Sequence, residues 1–286
     1  MADQPATPPS EGFSVPLGHV AITTHGSVTA ETFNSYGESR AFCQANNLGG
    51  IKWQVVFGAL VDKARNEAVV QLLADANAQW LLFFDADMQW EPNLIPTLLK
   101  TAYHDCPWAD IVGGYCNLRG PPYLPTIDTG TGTWESHGAG QGPKEVIRTG
   151  GACVLVKRHV YERMEAPWYG IRPAPRPLDN LVELDNYARI KSDGTNPLRE
   201  HPFWDQLEQC AIEDNTANPI QGPVNYSTVG EDSNLCDRAK ALGFRIVVET
   251  NAVCHHVDRK VIGPGDHAEA MKKRQDSEDA AAGLLV

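Results

Sequence analysis

The chain is poor in the features that mark several special classes of protein. Its seven cysteines (43, 106, 116, 153, 210, 236 and 254) form an odd set without a single C-x-x-C pair. Several sit in apolar runs, so buried thiols in a reducing compartment are expected rather than a disulfide framework. No apolar segment approaches the ~18 residues needed to span a bilayer. Positive charge is scarce, with 24 Lys and Arg against 36 Asp and Glu, a formal charge of −12. That balance argues against a protein that wraps nucleic acid through its bulk field, while leaving room for a local basic groove. The opening "MADQPATPPSEG" lacks a basic stretch followed by an apolar one, so no secretory signal is read there and a cytoplasmic chain is expected. Internal repeats are absent as well.

What is present is an ordinary globular mixture, with 42% hydrophobic and 21% charged residues over a length of 286, ample for a real core. After a Pro-, Ser- and Gly-rich tail (1–14), expected to be disordered, "HVAITTHG" (19–26) reads as a strand. Residues 29–45 can form a helix and "KWQVVFG" (52–58) a second strand. From Val61 to Ala76 the apolar residues fall on one helical face. "LLFFDAD" is then a short buried strand, "EPNLIPTLLKTAY" a helix and "ADIVGGYC" (109–116) a further strand. This β-α alternation predicts a mainly parallel, Rossmann-like sheet flanked by helices. Gly, Pro and Thr crowd residues 119–144, which predicts loops or a hairpin over the sheet edge. "GACVLVKRHVYERM" returns to a strand and a helix. Residues 166–228 carry many prolines, aromatics and acids with little periodicity, the mark of a functional cover. Trp168, Tyr169, Trp204 and Tyr226 suit it to sugar or base faces. Regular structure resumes at "EDSNLCDRAKALG" and "FRIVVETNAVCHHV", and a polar tail fills 263–286.

Chemistry concentrates in a few places. Asp85-Ala86-Asp87 ends a buried strand, where α/β sheets place ligands, and hard oxygen donors one residue apart suit Mg²⁺ or Mn²⁺. Two adjacent anions also call for a cation. Glu231-Asp232 open a helix, where acids are favoured by capping and the dipole, or else supply a general base. Of His255 and His256, which alternate across a strand, one should face the core and the other the cleft, where an imidazole completes a metal shell. Arg65, Asn66 and Arg119 suit phosphate recognition, or are plain surface residues. Gly150-Gly151 let backbone approach a ligand, or simply turn.

Taken in order, "VAITTHG", "VDKARNEAV", "LLFFDADM", "DIVGGYCNLRGPPY", "TGGACVLVKR" and "GEDSNLCDRAKALGFRIVVETNAVCHHV" resemble the GT-A-fold glycosyltransferases, particularly family-2-like enzymes of bacteria and their phages. The resemblance runs from about residue 19 to 258 and is loose over 166–228. It implies one GT-A-like domain over 15–262, with the irregular insertion lying over the active-site edge. It puts a metal, Mn²⁺ or Mg²⁺, on Asp85 and Asp87, with His256 joining in because His followed by an apolar residue is the family's context. It implies that the donor, a UDP- or GDP-sugar, lies against Thr23, Thr24, Asp62, Arg65, Asn66, Asp85, Ala86, Arg119 and Gly151. The base falls on Asp232, with Glu231 beside it, and transfer to a hydroxyl of a glycan, a small molecule or a modified DNA base is expected to invert the anomeric carbon. The first strand ends in Thr-Thr-His where the family has a proline-containing turn. A retaining transferase, a nucleotidyltransferase and a non-catalytic nucleotide-sugar binder are the alternatives. The lack of Lys or Arg in "TTHGSVT" weighs against the second of these, and the intact acid pair against the third.

Overall fold

The computed structural model describes residues 15–48, 50–177, 224–257, 261, 262, 265, 267, 271 and 272. They belong to two units, Met1–Tyr169 with Leu235–Val286, and Gly170–Asn234. The tail over 1–14, Cys210 and Trp204 fall outside the described residues, as does most of the stretch read as a cover.

The first unit is built on a mixed sheet. Its strands β1 (Gly18–Thr24), β2 (Ile51–Phe57), β3 (Trp80–Asp85), β5 (Ile111–Cys116) and β12 (Ile246–Val257) share one direction. Between β3 and β5 lies β9 (Cys153–Lys157), antiparallel to both. The spatial order is β13-β12-β5-β9-β3-β1-β2, with β13 at Val261–Ile262. The short strands β4 (Met88–Trp90) and β7 (Pro143–Val146) both pair antiparallel with β12, while β6 (Ile127–Asp128) pairs with β8 (Arg148–Thr149) apart from the main sheet. The sheet is therefore largely parallel, as its β-α rhythm predicts, but with one reversed strand at its centre. The connection from β5 to β9 carries no long crossover helix, so β9 returns antiparallel.

Alternation across the strands feeds two cores. Trp80, Leu82 and Phe84 join Cys43 of α1 (Ala30–Ala45) and Leu94, Ile95, Leu98 and Leu99 of α3 (Leu94–Lys100). On the other face Leu81 and Phe83 meet Ala64, Ala68 and Leu72 of α2 (Val61–Ala74), Val160 of α4 (Arg158–Arg163) and Leu235 and Ala239 of α5 (Glu231–Ala241). Period-2 strands and a period-3.6 helical face thus meet as their side-chain spacing demands. The predicted helix over 91–103 is shorter at its start and runs on at its end as a π-helical turn, Thr101–Asp105. Six cysteines (43, 106, 116, 153, 236 and 254) are free and buried, as expected.

The α1 helix holds a polar stripe inward. Thr32, Ser35 and Ser39 are all buried. Thr32 Oγ1 donates to the carbonyls of Ala86 at 3.0 Å and Met88 at 2.6 Å. Ser35 Oγ accepts from the Trp90 amide, and Ser39 Oγ from the Trp90 indole. These hydroxyls satisfy backbone that β4 leaves unpaired on that side. Trp90 in turn stacks on Phe84, centroids 3.8 Å apart and rings within 5° of parallel.

The second unit contains β10 (Arg172–Pro177) paired antiparallel with β11 (Val224–Val229), followed by the first turn of α5. A strand pair was not apparent from that proline-rich sequence.

Phe84 is wholly buried, whereas Phe57 is 66% exposed. Phe84→Ala should therefore cost about 3–5 kcal/mol of unfolding free energy, and Phe57→Ala within about 0.5 kcal/mol of nothing. Urea titrations of both variants check the contrast.

Candidate active site at the carboxyl end of the sheet

Asp85 is the last residue of β3, and Thr23 is its neighbour across the ladder on β1. Ala86 and Asp87 make the turn into β4. That turn is fixed from behind: the Ala86 carbonyl accepts from the Thr29 amide at 2.9 Å as well as from Thr32. From the other side, the Val257 amide donates to the Asp87 carbonyl at 2.7 Å. The backbone of the acidic turn is thus tied to α1 and to β12.

Each carboxylate has found an arginine. Arg65, on the inner face of α2 and only 2% exposed, donates from Nη2 to Asp85 Oδ1 at 2.7 Å and to the Gly151 carbonyl at 3.1 Å. Its guanidinium lies 5.7 Å from the centre of the Tyr169 ring, within cation–π range. A Cβ at Gly151 would stand 2.4 Å from Arg65 Nη1, so this close approach needs glycine. Asp87 is paired with Arg119, whose side chain is 56% exposed. One pair is buried and the other open.

Burial raises the Asp87 carboxyl above the ordinary aspartate range; Arg119 and His256 pull it down, and Asp85 pushes it up further. A carboxyl raised in this way stabilises the fold in its protonated form. That contribution is complete below the ordinary aspartate pKa and is lost as pH climbs through the raised value.

His255 and His256 pair with Gln89 and Met88 of β4, which brings the end of β12 beside the acidic turn. His256 is buried, and its Nδ1 lies 2.7 Å from the Asn117 carbonyl. A carbonyl can only accept, so Nδ1 carries a proton and is the donor. Asn117 itself is wholly buried just after β5. Asn117 Oδ1 and His255 Nδ1 have no hydrogen-bond partner among the described residues.

The remaining predicted residues divide. Thr23 and Thr24 are buried at the end of β1, where Thr24 Oγ1 donates to the Ser27 carbonyl and accepts from the Gly26 amide. Asp62 caps its own helix turn through the Lys63 amide. Asn66 is spent on structure: its Oδ1 accepts from the amides of Trp168 and Tyr169, and its Nδ2 donates to the carbonyls of Tyr169 and Asp62. Trp168 and Tyr169 were expected in a cover; instead they pack on the core, where the Tyr169 hydroxyl meets that of Tyr161 at 2.9 Å. Glu231 and Asp232 stand on the first turn of α5 in the second unit, with Asp232 Oδ1 accepting the Ser233 amide at 2.6 Å. Asn117 carried no signal in the sequence beyond its place before "LRGPPY".

Among the described residues no three His, Cys, Asp or Glu side chains are grouped to hold a metal ion. The donor chemistry nonetheless fits Mn²⁺ or Mg²⁺: two carboxylates and one imidazole with its ligating nitrogen already set by a carbonyl. Arg119 is a cation already standing at Asp87.

No family model matches the chain, and no curated protein does. Among solved structures, A197 from STIV superposes with a TM-score of 0.52 at 15% identity, covering 87% of this chain and 91% of that one. A glycosyltransferase involved in glycosylation of the major capsid of PBCV-1 gives a TM-score of 0.31 at 13% identity over 54% of this chain and 69% of its own. GalNAc-T7 with UDP, GalNAc and Mn²⁺ gives 0.41 at 9% over 87% and 45%. The first of these likenesses is one of fold alone. The architecture is an α/β fold of GT-A-like type, with a mixed, largely parallel sheet flanked by helices. No described helix is long and apolar enough to cross a membrane.

The two carboxylates should behave oppositely when removed. Asp85→Ala strips a buried guanidinium of its carboxylate and should cost about 3–5 kcal/mol of stability. Asp87→Asn should leave the protein more stable than wild type at neutral pH. That gain should close as the solution is acidified through the ordinary carboxylate range. Denaturant unfolding of both variants across pH checks the pair.

Proposed function

We propose that this chain is a metal-dependent glycosyltransferase that moves a sugar from a UDP- or GDP-sugar to an acceptor hydroxyl with inversion. The observation that supports this reading is the acidic turn at the end of β3, where Asp85 and Asp87 each pair with an arginine and the end of β12, with His256 on the Asn117 carbonyl, runs beside β4. Asp85, Asp87 and His256 would hold Mn²⁺ or Mg²⁺, which when bound supplies positive charge for the departing diphosphate. Asp85 is kept in place by Arg65 and the Gly151 carbonyl, so its free oxygen is preorganised rather than recruited. Thr23 and Thr24, at the same sheet edge, form the floor for the nucleoside, alongside the start of α2 at Asp62. Arg119 meets the phosphates, the task to which a half-exposed guanidinium is suited.

Asp232 takes the proton from the acceptor hydroxyl as that oxygen attacks the anomeric carbon. Its place in the first turn of a helix puts it at the positive end of the dipole. Glu231 beside it diverges by about 100° on the helix and so serves the acceptor or the helix end. One displacement with the base opposite the leaving group inverts the carbon. The acceptor is a glycan, a small molecule or a modified DNA base.

Asp87→Ala should abolish Mn²⁺-dependent binding of UDP or GDP with its circular dichroism spectrum unchanged. Equal nucleotide affinity in variant and wild type, with and without Mn²⁺, overturns the metal assignment. With an α-linked donor the first product should be β by proton NMR, and Asp232→Asn should lose turnover. An α-product removes Asp232 from the role of base.

A further inference from the structure

The two arginines on the acidic turn differ in a way that assigns them different jobs. Arg65 is buried, held by two acceptors, and shaped into its place by the absence of a side chain at Gly151. It is a fixed counter-charge. The Arg119 side chain is 56% exposed and pairs with Asp87. The loop that carries it is closed by its own hydrogen bonds: the Leu118 amide to the Leu124 carbonyl at 2.8 Å, the Tyr123 amide to the Gly120 carbonyl at 2.8 Å, and Asn117 Nδ2 to the Tyr123 carbonyl at 2.6 Å. None of these uses the guanidinium. The same loop, through the Asn117 carbonyl, sets the ligating nitrogen of His256. The loop thus carries a half-exposed cation at Asp87 and, through the Asn117 carbonyl, orients the imidazole of His256 on β12.

We propose that Arg119 is a built-in counter-cation of Asp87 that competes with the divalent ion and passes to the donor phosphates when that ion arrives. The inference rests on the metal-dependent reading of the site above. Asp87 has one net charge to offer, and a guanidinium on Oδ2 blocks one ligating oxygen while screening the other. Entry of the ion requires Arg119 to leave. A nucleoside diphosphate gives it a planar, bidentate anion to take in exchange, so the arginine loses no partner. Without nucleotide the same arginine opposes metal uptake, which couples metal and donor binding with positive sign.

The test measures each half separately on the full chain. Mn²⁺ affinity without nucleotide is read from the electron paramagnetic resonance of the free ion. UDP and GDP affinities with saturating Mn²⁺ are read by calorimetry. Arg119→Ala should tighten Mn²⁺ by roughly two- to fivefold, the range of a solvent-exposed ion pair, and weaken the diphosphate by roughly tenfold or more. Arg119→Lys, which keeps a point charge without the fork, should leave Mn²⁺ near the wild-type value and recover the diphosphate only in part. Because no loop hydrogen bond depends on that side chain, both variants should keep the wild-type fold, and Arg119→Ala should lose no more stability than one exposed ion pair is worth. Unchanged or weaker Mn²⁺ binding by Arg119→Ala overturns the competition and leaves the metal site standing. Tighter Mn²⁺ with unchanged diphosphate affinity overturns the hand-over. If neither wild type nor Arg119→Ala takes up Mn²⁺, the metal-dependent reading falls and this inference with it.

Discussion

The ion pair between Arg65 and Asp85 sets the terms for everything around it. A guanidinium that is 2% exposed must have acceptors, because isolated charge in a protein interior costs several kcal/mol. It finds them in Asp85 and in the Gly151 carbonyl. That requirement dictates the position of α2 against the end of β3. It forbids a side chain at Gly151, and it places the face of Tyr169 beside the positive charge. Asn66, the next residue on the helix, then clamps the backbone at Trp168 and Tyr169. One turn of one helix therefore fixes both a carboxylate of the acidic turn and the backbone at Trp168 and Tyr169.

Rigidity behind the turn has a separate origin. Hydroxyls at Thr32 and Ser35 face inward on α1 and occupy backbone groups of Ala86, Met88 and Trp90, while Ser39 accepts from the Trp90 indole. Each hydrogen bond is worth about 1 kcal/mol net, but their larger effect is geometric. They tie the acidic turn and β4 to α1, while the ladder between β4 and β12 brings His256 beside Met88. A polar stripe buried in a helix weakens its amphipathic pattern. The helix accepts this because the acidic turn would otherwise be free to move.

Much of this was legible in the chain. Five apolar residues ending in Asp-Ala-Asp marked a buried strand with chemistry at its tip, and β3 runs over Trp80–Asp85. The need for a cation near two adjacent carboxylates was also readable; that two arginines singled out for the donor would each pair with one of them was not. Which arginine would be buried was not, because burial of Arg65 follows from the docking of α2, and no local pattern records docking. The reversal of β9 was hidden for the same reason: a run of Cys-Val-Leu-Val is equally apolar in either direction. Strand β4 is three residues long, too short for alternation to reveal. Asn117 acts through its main-chain carbonyl, and a carbonyl is the one group every residue shares.

The contrast between the two carboxylates has a physical rationale that goes beyond their separate partners. At an effective dielectric of about 20, like charges about 4 Å apart repel by about 4 kcal/mol. On the metal-dependent reading proposed above, the site cannot cancel that repulsion fully beforehand, or nothing would drive a further cation in. Nor can it leave the repulsion whole, or the fold would carry the cost at all times. Offsetting one carboxylate permanently from within, by Arg65, and the other provisionally from solvent, by Arg119, lies between those limits. The Asp87 carboxyl is raised chiefly by its burial, while Arg119 pulls it down and Asp85 pushes it up. On that reading Asp85 would give the site its geometry, and Asp87 its affinity for positive charge.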